Sequence, residues 1–119
     1  MSANRISLLS IIIILWTISC HAQYIEPQPT MGQKALKSFL KYHIDYPEEE
    51  LINNTQGTVV IGFTTDKDGK VVDYNISKSV SQKLDSSAIS IFKLILWNSA
   101  TSYGINVIGT SDFELKYNV

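Results

Sequence analysis

The chain holds one cysteine, Cys20, and one arginine, Arg5, and both fall within an N-terminal stretch that reads as removable. Once that stretch is gone, no disulfide can form. Stability must then come from core burial alone, with no covalent staple. The missing arginine excludes a second class. Lys plus Arg number 10 against 11 Asp plus Glu, a net charge of −1 that becomes more negative without Arg5. A chain with no basic excess and no arginine fork lacks what phosphate backbones demand, so no nucleic-acid partner is expected. Histidine is scarce too, at His21 and His43 only. With no mature thiol and no Ser/His/Asp set at a recognisable spacing, nucleophilic catalysis has no support. The chain is read as a non-enzyme without cofactor or metal. It has no internal repeat and no low-complexity tract, and its 119 residues leave room for one small domain.

Arg5, the apolar run Ile6 to Ile18 and the small residues Ser19, Cys20 and Ala22 have the layout of an export signal. The run is about 13 residues, short of the roughly 20 that a spanning helix needs, although an uncleaved anchor is the alternative. Two cuts fit. One precedes Cys20, where Trp16-Thr17-Ile18-Ser19-Cys20 resembles a lipoprotein box with Thr17 in place of the usual Leu or Val, making Cys20 a candidate lipidation site. The other falls after Ala22, before Gln23.

Residues 23–30 form a short extended leader held open by Pro27 and Pro29. From Met31, Leu36, Phe39, Leu40 and Ile44 recur at helical spacing, with Lys34, Lys37 and Lys41 on the solvated face. Pro47 stops this helix by about Asp45, and Glu48 to Ile52 can add one further turn. A hairpin follows. Val59, Ile61 and Phe63 alternate in its first arm, Val72, Tyr74 and Ile76 in its second, and Asp66-Lys67-Asp68-Gly69 supplies the turn. A second helix is expected from about Leu84 to Trp97, with Leu84, Ala88, Ile91, Phe92 and Ile95 as its apolar stripe. Asn98 to Asn106 reads as a loop with Gly104 at its turn. A final strand spans about Val107 to Tyr117, where Phe113, Leu115 and Tyr117 alternate with Asp112, Glu114 and Lys116.

The bland readings weigh heavily for single residues. His43 lies on or beside an apolar stripe and reads as structural. Asp66 and Asp68 lack the further oxygen donors of a calcium loop, so a hairpin turn is the simpler reading. Trp97 reads as a core cap. Phe63 and Phe92 are both expected to be buried between the sheet and the second helix.

In combination, the elements resemble a known family. Ala35-Leu36-x-x-Phe39-Leu40, Ile44-x-Tyr46-Pro47-Glu48-Glu49, Gln56-Gly57-Thr58-Val59, Phe63-Thr64-x-Asp66-Lys67-Asp68-Gly69-Lys70-Val71, Leu84-Asp85-x-x-Ala88 and Phe113-x-Leu115 follow one another in this order. From Met31 onward the chain resembles the TonB C-terminal domain, the periplasmic end of the energy transducers of Gram-negative outer-membrane transport, most of all the short Bacteroidetes-type forms.

The resemblance implies an α+β fold for residues 31–119: a three-stranded antiparallel sheet with two helices packed on one face. If the last strand lies beside the first, it forms one edge and the second hairpin arm the other. In the family that last strand receives a segment of an outer-membrane receptor by strand addition. Carried over, the partner-binding residues are Val107, Ile108, Thr110, Asp112, Phe113, Glu114, Leu115 and Tyr117, with Tyr46 and Pro47 nearby. The implied location is the periplasm or a periplasm-facing membrane of a Gram-negative bacterium. A lipid anchor at Cys20 and a homodimer stay open beside the receptor segment as partners. An envelope structural or inhibitory protein reusing the fold is the alternative function.

The export reading has a direct check. Mass spectrometry of the mature protein from envelope fractions is expected to find an acylated Cys20 or a free N-terminus at Gln23. An intact Met1–Ala22 segment would contradict cleavage.

Overall fold

The structure, a computed structural model, describes residues 23–44 and 46–118. The segment read as an export signal, with Cys20, lies outside the described residues. Two short strands come first, β1 (Tyr24–Ile25) and β2 (Gln28–Pro29). Helices α1 (Gln33–His43) and α2 (Glu48–Ile52) follow, then the hairpin strands β3 (Gly57–Thr65) and β4 (Val71–Lys78). Helix α3 (Gln82–Phe92) leads to β5 (Trp97–Asn98), β6 (Ala100–Ser102), β7 (Ile105–Val107) and β8 (Gly109–Tyr117).

The hairpin closes through a three-residue loop. Asp66 N–H donates to the Lys70 carbonyl at 2.9 Å, and Gly69 N–H donates to the Asp66 carbonyl at 3.1 Å. Gly69, at φ +83°, occupies the left-handed position of a G1-type bulge. The Asp66 carboxylate accepts the N–H groups of Asp68 and Lys70, each at 2.9 Å, and so fixes the turn. Beyond the loop, Thr65 faces Val71 while Thr64 faces Asp73. The extra residue re-phases the arm, so Val71 is partly buried against the core while Val72 is 58% exposed. The expected inward alternation of Val72, Tyr74 and Ile76 thus fails at Val72, because one residue of bulge inverts a period of two.

β3 is the centre of the main sheet, whose order is β4-β3-β8. It pairs with β8 in unbroken antiparallel register from Gly57↔Tyr117 to Thr65↔Gly109. Val59, Ile61 and Phe63 of β3 and Phe113, Leu115 and Tyr117 of β8 point into one core. Helix α3 covers it with Leu84, Ala88, Ile91 and Phe92, while α1 contributes Leu36. Phe63 lies 5.2 Å from Phe92 and 4.4 Å from Trp97, ring centre to ring centre, and Phe92 lies 5.7 Å from Phe113. The α+β class, the strand order and the burial of both Phe63 and Phe92 agree with the sequence reading.

The boundaries of the second helix do not. It begins at Gln82, capped by Ser81, whose hydroxyl accepts Leu84 N–H at 3.2 Å. Asp85 reinforces the start by accepting Val80 N–H at 3.0 Å. The helix ends at Phe92 rather than Trp97. Leu94 and Ile95 then donate to Ile91 and Phe92, a tightened last turn. From there burial alternates: Ile95 and Trp97 are buried and Leu96 is exposed. Ile95 fits either period, four residues after Ile91 or two before Trp97, which is why the stripe misled.

The expected Asn98–Asn106 loop is instead structured. β6 and β7 form a hairpin around Tyr103 and Gly104, both at positive φ (53° and 76°), the signature of a two-residue type I′ turn. The final strand starts at Gly109, not Val107, since Val107 closes β7. The leader is extended, as expected, but it is also paired. β1 joins β6 with Tyr24↔Ser102, and β2 joins β5 with Pro29↔Trp97. Thr30 N–H donates to the Leu96 carbonyl at 2.9 Å. The result beside the main sheet is a small β1-β6-β7 sheet, the lobe.

Two substitutions test this packing. Phe92→Ala is expected to cost about 3–5 kcal/mol, a large share of a small domain's stability, and to lower the urea midpoint accordingly. Gly69→Ala is expected to cost on the order of 1–3 kcal/mol. Its Cβ would stand 2.3 Å from the Trp97 carbonyl oxygen at a φ that side chains resist. A wild-type midpoint for Phe92→Ala would contradict the core.

Candidate partner-binding edge

Backbone groups of an interior strand are consumed on both sides, whereas those of an edge strand are consumed on one. Among the described residues, β8 pairs with β3 alone, and β4 likewise has β3 as its only neighbour. Successive β8 side chains alternate between core and solvent. Phe113, Leu115 and Tyr117 are buried, while Thr110, Asp112, Glu114 and Lys116 stand exposed on the open face of the sheet.

A groove of about 440 Å³ runs between β8 and α1. Ser111 to Glu114 form one wall, Gln33 and Lys37 of α1 the other, and Leu36, Leu40, Phe113 and Trp97 supply its apolar surface. The leader closes one end with Glu26, Pro27 and Gln28. The groove therefore combines an apolar floor, polar rims and a neighbouring strand edge. Trp97 carries a buried indole N–H with no hydrogen-bond partner.

The other end of β8 is anchored. The Tyr117 hydroxyl donates to Ser87 Oγ of α3 at 2.9 Å. Tyr46 meets Tyr117 edge-on at 5.5 Å and donates its hydroxyl to the Thr55 carbonyl. Tyr46 is thus brought to the last strand, with Pro47 following it at the start of α2. Of the remaining expected residues, Val107 and Ile108 are separated from the edge. Val107 pairs with Ala100 in the lobe, and Ile108 is exposed between the two sheets. Sequence reasoning missed Gln33, Lys37 and the leader residues, because nothing local indicates that α1 and the leader flank the last strand.

His43 is exposed; its ring stacks on Phe39 at 4.1 Å, with Nδ1 2.9 Å from the Phe39 carbonyl. Asp66 is engaged in the hairpin turn. Among the described residues no group of three or more His, Cys, Asp or Glu could hold a metal ion, and no helix is long and apolar enough to cross a membrane.

Comparison with known proteins places this geometry. No curated protein matches the chain. The solution structure of the Helicobacter pylori TonB C-terminal domain superposes with a TM-score of 0.52, covering 71% of this chain and 77% of that one at 18% identity, a likeness of fold. The family model described as the Gram-negative bacterial TonB protein C-terminal matches residues 42–119. The match takes in everything from the end of α1 through β8, and leaves the Ala35–Leu40 element of the resemblance outside. The chain belongs to the TonB C-terminal family.

Proposed function

We propose that this chain is an exported, non-catalytic binding module that takes an extended segment of an outer-membrane transporter onto β8 by strand addition. The observation that carries the reading is the one-sided pairing of β8 beside an open groove. An incoming strand would use the outward N–H and C=O groups of β8 for affinity. Its alternate side chains would meet the Leu36–Leu40 surface on one side and Thr110, Asp112 and Glu114 on the other. Phe113, Leu115 and Tyr117 would contribute by fixing the edge in place, since their side chains fill the core. Tyr46 and Pro47 would support the far end. The charges on the open face also oppose pairing between two copies of β8.

A second reading has its own observation. β4 is also an unpaired edge, beside a groove of about 420 Å³ that includes Val72, Tyr74 and Leu96. An envelope protein of structural or inhibitory role would use that edge for a different partner.

Proline scanning separates the two. Along a strand, N–H groups of adjacent residues point to opposite sides, so of Ser111→Pro and Asp112→Pro one breaks the ladder to β3 and the other removes an outward donor. The folded member of the pair, identified by circular dichroism, is expected to weaken partner binding by about 1–3 kcal/mol, roughly tenfold or more. Ile61→Pro, in the central strand, is expected to unfold the domain. Envelope pull-downs with the folded β8 variant should lose a transporter. Retention at wild-type yield, or loss only from the equivalent Asp73→Pro and Tyr74→Pro pair in β4, would contradict strand addition on β8.

A further inference from the structure

The lobe is built at a conformational cost that its own packing does not explain. Type I′ turns favour Asn-Gly, since both central residues need positive φ. Here the first central residue is Tyr103, at φ +53°, a conformation bulky residues avoid. Its side chain is 66% exposed, so burial does not compensate. Ile105, which follows the turn, is 69% exposed, and Tyr24, Ile25 and Ile108 are also exposed. Tyr24 and Ile105 both face Ser102 in register, so they share one face of the small sheet. No charged residue lies between Lys93 and Asp112. The lobe is also held firmly. A Cβ on Gly109 would lie 2.3 Å from the Ala100 Cβ and 2.9 Å from the Tyr24 hydroxyl, so the lobe is seated directly on the start of β8.

The place where the chain enters this lobe identifies what it meets. Tyr103 N–H donates to the Gln23 carbonyl at 3.0 Å, so Gln23, the first described residue, stands at the tip of the lobe. Cys20 stands three residues earlier, and the apolar run Ile6–Ile18 just before it. Extended, that link spans roughly 10 Å. Where the protein keeps a lipid on Cys20 or the apolar run, either would hold a bilayer within reach of the tip.

We propose that the lobe rests on a phospholipid surface, inserting Tyr103 and Ile105 at the membrane interface beside the N-terminal tether. Tyrosine suits the interface, with an apolar ring and a polar end. An uncharged lobe enters without desolvating an ion and gains nothing from anionic headgroups. Docking is thus insensitive to lipid charge and to salt.

The test uses the full chain, with Cys20→Ser, in phosphatidylcholine vesicles. A polarity-sensitive fluorophore is attached at Ile105→Cys or, as a control, at Lys78→Cys, an exposed position at the opposite end of the sheet. Lipids brominated near the headgroup are expected to quench the label at 105 roughly fivefold or more above that at 78. The contrast should persist in vesicles containing phosphatidylglycerol, at low and high salt. Tyr103→Asn should reduce quenching at 105 while leaving Tm unchanged or raised, because Asn suits the turn. Equal quenching at both positions would overturn the proposal. So would quenching confined to anionic vesicles at low salt. A shift at 105 that appears without lipid as protein concentration rises would assign the lobe to a second copy of the chain instead.

Discussion

Four aromatic rings, Phe63, Phe92, Trp97 and Phe113, hold together elements that the sequence keeps apart. Phe63 lies in the central strand, Phe92 at the end of α3, Trp97 in β5 and Phe113 in β8, and five of the six pairs among them meet tilted or edge-on with ring centres within 6.3 Å. The rest depends on this cluster because no disulfide is available to the described residues. Trp97 joins the two halves of the molecule: its side chain enters the core, its backbone pairs with Pro29, and its carbonyl oxygen approaches Gly69 of the hairpin turn. Dispersion and apolar burial among large rings can supply most of a small domain's net stability, which leaves little margin for a lost contact.

Closing the core in this way leaves an edge open. With β3 in the centre, the helices cover one face of the sheet, and among the described residues β3 is the one strand that pairs with β8. Such an edge invites aggregation unless it is managed. Asp112, Glu114 and Lys116 on the exposed face, and α1 standing across the groove, limit what can approach. Under the proposed strand addition the same features would make the edge selective, since an incoming strand would have to fit between β8 and α1. The lobe seated on Gly109 sits at one end of this edge, so the lobe and β8 are packed directly against each other.

Much of this was legible in the residues. The β3–β4 hairpin follows from alternation on either side of Asp68-Gly69, and the closing strand from Phe113, Leu115 and Tyr117. The burial of Phe63 and of Phe92 follows from the apolar stripe that each lies on. What was not legible had physical reasons. The segment from Ile91 to Trp97 satisfies both a helical and an extended period, and the choice is made by tertiary contact of Trp97 with Phe63. The leader strands are two residues each, too short to carry a pattern, and their partners lie some 70 residues away. The type I′ turn is hidden because Tyr103 is not a residue such turns favour. The groove wall from Gln33 and Lys37 reads locally as an ordinary solvated helix face.

The central claim is that β8 is paired on one side and free on the other. Amide hydrogen exchange on the native protein tests it without any partner in hand. Exchange should be slow throughout β3, and along Ser111 to Tyr117 it should alternate, slow where the N–H meets β3 and fast where it points into the groove. Uniformly slow exchange along β8 in the free protein would mean that its outer edge is already covered, and would contradict the account.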